Sequence, residues 1–277
     1  LSLVRRVSNF KSWASFRRVG RARSRRLLFA SPPFAAVTVP AARAPRESAL
    51  HEAVARRVRA VTERIEAARA RGGHGQPVTL IAVTKTHGPE AVEAAWAAGV
   101  GDVGENRVQE AEAKREVLAH LPVRWHLIGH VQRNKARAAV TFDLVHGLDS
   151  PRLAAALDDA ARAAGRVADV LVQVNVSGEA SKFGVPPAGL AALGEALHAH
   201  AGLRVRGVMT MAPFDADEGT LRRVFAGARA ARELLRAGGH DAPLLSMGMS
   251  GDFELAVEEG ATHVRLGTLL FGAREAA

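Results

Sequence analysis

Between residues 78 and 266 short apolar runs alternate with longer helical patterns, and few folds accommodate that alternation. The strand-like runs fall near 78–84, 101–104, 123–128, 143–147, 170–176, 203–209, 243–247 and 262–266. Helical composition follows several of them, over 89–98 with Pro89 in the first turn, 150–164, 187–200 and 218–237. Eight β-then-α units in roughly 200 residues predict an α/β protein with a single (β/α)8 barrel of the TIM type. A doubly wound open sheet is the alternative. An extra helix precedes the first strand, with Ser48 as its expected cap and Gly72-Gly73 as its stop. No linker divides residues 47–277, which read as one domain.

A barrel places its chemistry at the C-terminal ends of its strands. The first strand ends there in Lys85, after Val78-Thr79-Leu80-Ile81-Ala82-Val83-Thr84, and no other lysine lies between Lys11 and Lys114. Ile81, Val83 and Lys85 share a face under the two-residue period, so the amine points toward the interior. Burying an unpaired ammonium is costly, which makes the alternative a lysine that simply emerges into solvent.

The loops after the seventh and eighth strands, where barrels often hold phosphate, are Leu245-Ser246-Met247-Gly248-Met249-Ser250-Gly251 and Val264-Arg265-Leu266-Gly267-Thr268. Glycines there admit close approach, hydroxyls donate, and helix starts after Ser250 and Gly267 present free N–H groups, which together make an anion cradle. Asp252 argues against this, because a carboxylate repels phosphate. A lysine facing an anion cradle fits a Schiff-base aldolase or a pyridoxal phosphate protein. Arg265 favours the second, since a guanidinium beside a pyridine nitrogen disfavours its protonation; a rim salt bridge is the other reading.

The net charge of +10 suggests nucleic acid until it is divided along the chain. Residues 1–46 hold eleven Lys and Arg and no Asp or Glu, leaving 27 basic against 28 acidic residues in the remainder. No nucleic-acid face is therefore implied for the domain. Residues 1–46 read as a basic leader, either an organelle transit peptide or a functionless extension. The absence of cysteine excludes disulfides and thiolate chemistry and fits a reducing compartment. No metal site is expected from the scattered histidines, and no apolar stretch approaches a membrane span. The expectation is a cytoplasmic protein, or an organellar one if the leader is a transit peptide.

Seven segments together resemble a known family: Ala82-Val83-Thr84-Lys85, Gly104-Glu105-Asn106-Arg107-Val108-Gln109-Glu110, Trp125-His126-Leu127-Ile128-Gly129, Gln132-Arg133-Asn134-Lys135, Ser181-Lys182-Phe183-Gly184, Ser246-Met247-Gly248-Met249-Ser250 and Val264-Arg265-Leu266-Gly267. In this order they are similar to the pyridoxal phosphate homeostasis proteins, the proline synthase co-transcribed homologue type, which are stand-alone relatives of the alanine racemase N-terminal barrel. The resemblance implies pyridoxal 5'-phosphate as cofactor, with Lys85 forming the internal aldimine. It further implies that Asn106 and Met209 line the ring pocket and that Arg265 faces the pyridine nitrogen. Ser246, Met247, Gly267 and Thr268 would complete the cofactor site, the phosphate falling to Ser246, Gly267 and Thr268. Arg107 stands where the family commonly has an aromatic residue, and Phe183 departs from the usual residue of its loop.

Other residues carry less specific readings. Trp125 and Leu127 should pack outward, while His126 points inward either to the site or to a satisfied place in the core. Glu105 is expected to pair structurally, and Gln132, Asn134 and Lys135 to open a helix. Two functions fit the whole: a carrier of pyridoxal phosphate in vitamin B6 homeostasis, and a racemase. By the same resemblance a racemase sets a tyrosine from an additional β-domain opposite its lysine. This sequence contains no tyrosine and ends at Ala277 after the eighth unit, so a carrier is expected. Vitamin B6-dependent apoenzymes would be the recipients, and the carrier a monomer or weak dimer without a membrane partner.

Overall fold

The computed structural model describes residues 44–272; the leader expected over residues 1–46 lies outside them but for its last three positions. The chain opens on α1 (Ala44–Gly72), followed by β1 (Thr79–Val83), α2 (Pro89–Ala97), β2 (Asp102–Glu105), α3 (Val108–Val117), β3 (Arg124–Leu127) and α4 (Ala136–Ala139). Next come β4 (Leu144–Leu148), α5 (Pro151–Ala163), β5 (Ala168–Gln173), α6 (Leu190–Leu197), β6 (Leu203–Met209) and α7 (Glu218–Ala237). The last elements are β7 (Leu244–Ser246), α8 (Phe253–Glu258), β8 (His263–Leu266) and α9 (Thr268–Phe271). Each strand pairs in parallel with the next, and β8 returns to β1 with Ile81 opposite Arg265 and Ala82 opposite Leu266. The sheet is a closed barrel, so the open-sheet alternative falls.

Side-chain alternation builds two different interiors. Ala82, Val103, Trp125, Leu127, Val145, Val170, Val172, Val208, Leu245 and Val264 point outward and merge with the buried faces of the helices. The inward set holds a small apolar cluster, Leu144, Leu171 and Met209, beside buried His126, His146, Ser246 and Arg265. The barrel therefore has an apolar jacket and a partly polar centre. Between β5 and β6 the register slips by one residue, Val170 facing Val205 but Leu171 facing Gly207. Gly207 carries φ 149°, and a Cβ there would lie 1.8 Å from the Leu244 carbonyl oxygen, so only glycine tolerates this bulge.

Helix α1 buries Val54, Val58, Val61, Ile65 and Ala68, one stripe at helical spacing, and packs on α2 and α8. It is already helical at Ala44, so Ser48 lies inside the helix and is not its cap. Ser150 does cap α5, accepting from the Leu153 N–H, and Asp217 caps α7 in the same way through Thr220. Gln132, Asn134 and Lys135 form a 3₁₀ turn and not the start of a long helix. Among the described residues no helix is long and apolar enough to cross a membrane, and no cluster of metal-ligating residues occurs.

Candidate functional site

Because all eight strands run the same way, the loops at their C-terminal ends converge on one cavity of about 710 Å³. Lys85 enters from the end of β1, Asn106 from β2, His130 from β3, Gln173 from β5 and Met211 from β6. Met249, Ser250, Gly251 and Asp252 come from the loop after β7, and Arg265, Gly267 and Thr268 from β8 and its turn.

The turn that carries Lys85 is held from below. Thr86 adopts φ 68°, unusual for a β-branched residue, and its N–H is accepted by Glu110. Beneath it the Lys114 ammonium donates to Glu105 Oε1 at 2.6 Å, to the Thr84 carbonyl at 2.8 Å and to Glu110 at 3.2 Å. Thr84 Oγ1 adds a bond of 2.6 Å to the same Glu105 oxygen. Burial raises the Glu105 carboxyl above its usual range, and the bonds from Lys114 and Thr84 pull the other way. Glu105 thus pairs structurally as expected, but with a lysine from α3 that the sequence did not mark. Lys114→Ala would strand a buried carboxylate and should cost about 3–5 kcal/mol in urea unfolding. The pair Glu105→Gln with Lys114→Met should recover most of that; a single-variant loss below about 1 kcal/mol would show the pair does not hold the turn.

On the opposite side two loops present unused donors. The backbone N–H groups of Ser250, Gly251, Gly267 and Thr268 meet no protein acceptor among the described residues. A Cβ on Gly267 would lie 3.2 Å from the Val83 carbonyl oxygen, which brings this turn close beside the end of β1. Asp252 is turned back on its own loop, its Oδ1 accepting the Met249 N–H at 2.5 Å. Burial raises its carboxyl, while that bond and the Arg265 charge oppose the shift. Met249 N–H is therefore occupied and does not join the cradle.

Arg265 is neither a rim residue nor half of a direct salt bridge. It lies buried, donating from one guanidinium nitrogen to Ser246 Oγ at 2.6 Å and from another to the Thr210 carbonyl at 3.0 Å. Burial lowers it to about 10, so it stays charged at neutral pH. The structure gathers Lys85, Asn106, Arg265, Gly267 and Thr268 at one cavity.

Three other expected positions do not line it. Met209 packs against Leu144 and Leu171 one layer deeper, and Met211, on the same face two residues on, reaches the cavity instead. Met247 points outward into the jacket. Ser246 is fully buried, bonded to Arg265 and His146 and not part of the cavity lining. Ser250, expected at the end of the anion-binding loop, does line the cavity with Gly251 beside it, whereas Gln173 and His130 were missed as lining residues. His126 resolves as a satisfied core histidine bonded to Asp102 and His146.

A closed parallel barrel with a lysine after its first strand and an arginine in its last has the architecture of the alanine racemase N-terminal domain, and the model of that family matches residues 57–275. The pyridoxal phosphate homeostasis protein of Pseudomonas aeruginosa is 45% identical over 224 residues, which span 80% of this chain and 96% of that one. Its counterpart from Aquifex aeolicus is 42% identical over 79% of this chain and 97% of its own length. Among solved structures, PipY of Synechococcus elongatus with pyridoxal phosphate bound is 40% identical, covers 79% of this chain and 100% of that one, and superposes with a TM-score of 0.70. The chain belongs to the pyridoxal phosphate homeostasis protein family.

Proposed function

We propose that the cavity binds pyridoxal 5'-phosphate and that the chain holds this cofactor for intracellular vitamin B6 homeostasis without substantial turnover. The observation that carries this reading is one chamber bringing together an amine, Lys85, a buried guanidinium, Arg265, and four unused backbone donors on two loops. That set matches an aldehyde, a pyridine nitrogen and a phosphate, and the relatives' names point the same way. Bound there, the cofactor supplies an aldehyde able to condense with an amine and a ring able to draw off electrons. Lys85 is the amine that takes the aldehyde. Ser250, Gly251, Gly267 and Thr268 hold the phosphate through backbone N–H groups, and Asn106 flanks the ring. Arg265, a cation, donates to the ring nitrogen and keeps it unprotonated, which weakens the ring as an electron sink.

Racemisation needs a proton group on each face of the bound amino acid. The ionisable side chains lining the cavity, among the described residues, are Lys85, His130, Asp215, Asp252 and Arg265. Asp252 is tied to its own loop, and His130 is paired with Asp149 at 3.2 Å and stacked on Phe183 at 3.9 Å. Asp215 is exposed on the loop after β6. With no second acid or base held beside the amine, a factor of about 10² to 10⁴ is forfeited. Protein loaded with the cofactor should therefore reactivate a cofactor-free vitamin B6 enzyme. L- and D-amino acids incubated with it in deuterated water should gain little label at Cα. Rapid exchange with inversion, abolished by Lys85→Ala and by His130→Ala, would establish a racemase with His130 as its second base.

A further inference from the structure

The polar centre of the barrel is a single hydrogen-bonded line that ends on Arg265. It begins at Asp102, at the start of β2 and therefore at the end of the barrel away from the cavity. Asp102 Oδ2 accepts from exposed Arg124 at 2.7 Å and its Oδ1 meets His126 Nε2 at 2.8 Å. His126 Nδ1 meets His146 Nε2 at 3.0 Å, His146 Nδ1 meets Ser246 Oγ at 3.0 Å, and Ser246 Oγ accepts from Arg265 at 2.6 Å. The line crosses β2, β3, β4, β7 and β8 through residues that are all buried.

Elementary hydrogen-bond accounting gives the line a direction. Burial alone would raise the Asp102 carboxyl, but the bonds from His126 and Arg124 hold it below its usual range, so it is ionised and only accepts. His126 Nε2 therefore carries hydrogen. On the inferred line that is its only proton, so it accepts at Nδ1 and His146 donates from Nε2. Burial pushes His146 well below its ordinary value, with the Arg265 charge acting the same way, so it is neutral and accepts at Nδ1. Its donor can only be the Ser246 hydroxyl, which leaves the Ser246 lone pairs facing Arg265. Every donor finds an acceptor. The opposite sense requires one more proton on His126 and takes from the Ser246 hydroxyl its His146 acceptor.

We infer that Ser246, His146, His126 and Asp102 are positioning residues for Arg265, a one-way relay that keeps the Ser246 lone pairs toward the guanidinium and so fixes its aim into the cavity. The consequence for the bound cofactor rests on the reading that Arg265 meets the pyridine nitrogen. The relay is a property of the cofactor-free protein. Its substitutions change no residue that touches the cavity.

Asp102→Asn makes the sharpest test, because Arg124 demands an oxygen on its side of the side chain. The amide nitrogen must then face His126, which reverses both imidazoles and takes from the Ser246 hydroxyl its acceptor on His146. Adding Arg124→Ala frees the amide to flip and restores the original sense. Nitrogen-15 NMR of the imidazoles in cofactor-free protein should find both His126 and His146 protonated at Nε2 in the wild type and at Nδ1 in Asp102→Asn. Nδ1 protonation of His146 in the wild type would overturn the relay. In protein loaded with ring-labelled pyridoxal phosphate, His146→Leu should shift the ring-nitrogen resonance and the visible maximum and weaken binding roughly tenfold, the scale of one bond to a charged group. His146→Gln, which accepts and donates as the neutral imidazole does, should stay near wild type. Leu and Gln variants that both match the wild type would sink the positioning role. Failure of the wild type to bind the cofactor would instead sink the functional reading, and the imidazole protonation states would still decide the relay.

Discussion

Lys85→Ala is expected to reduce borohydride-fixed pyridoxal phosphate to background, while the wild type carries one label that peptide mapping places on residue 85. Among the described residues no other amine lines the chamber. Lys135 belongs to the turn after β3 and lines a neighbouring depression, and Lys182 is paired with Glu179 in the loop after β5. Lys114 is spent on Glu105, Glu110 and Thr84, and releasing it would strand the buried carboxylate. The cradle and Arg265 remain in the variant, so the cofactor should still bind reversibly, with the spectrum of its free aldehyde. Absorbance then separates two effects that a loss of labelling alone would merge: a missing amine and a collapsed site. Substantial borohydride labelling of Lys85→Ala, at Lys135 or Lys182, would mean that the amine had been misassigned.

The eight strands were legible because a buried parallel sheet writes itself as short apolar runs, and the two-residue period told inward from outward. Ile81, Val83 and Lys85 share the inward face, and Trp125 and Leu127 the outward one, as alternation alone requires. What alternation does not carry is depth along the barrel axis. Met209 and Met211 lie on the same face, and the deeper one was taken for the one at the cavity; Ser246 likewise lies below the loop that reaches it. Only the closure of the barrel and the slip at Gly207 settle which reaches the mouth. Met247 is a different error, an outward residue counted with the inward face of its loop. The relay was illegible for a third reason. His146 and Ser246 lie 100 residues apart and meet across the barrel interior, a proximity that no local pattern encodes. Lys114 escaped notice because a lysine on a short polar helix reads as a solvated face until β1 and β2 are brought beside it.

Pyridoxal should bind at least about a hundredfold more weakly than pyridoxal phosphate, and this difference should reside in the backbone of two loops. A hydrogen bond to a charged group contributes about 1.5–3 kcal/mol, so two effective N–H contacts out of the four already reach that ratio. The full sum is not expected, since such contributions are not additive and the phosphate is itself well hydrated when free. Side chains matter less than access in this scheme. Ser250→Ala removes a hydroxyl that, among the described residues, meets just the Leu269 N–H at 3.4 Å, and keeps the backbone donor, so its effect should be small. Gly267→Val acts on the approach itself: its Cβ would stand 3.2 Å from the Val83 carbonyl, and its methyl groups would crowd the donors of residues 267 and 268. That variant should bring pyridoxal phosphate down toward the affinity of pyridoxal while leaving pyridoxal little changed, because pyridoxal never used the cradle. Titration of both forms against both proteins by absorbance measures the four affinities. Equal affinity of the wild type for the two forms would remove the phosphate from these loops, and a parallel loss for both forms in Gly267→Val would show a distorted barrel mouth in place of a blocked cradle.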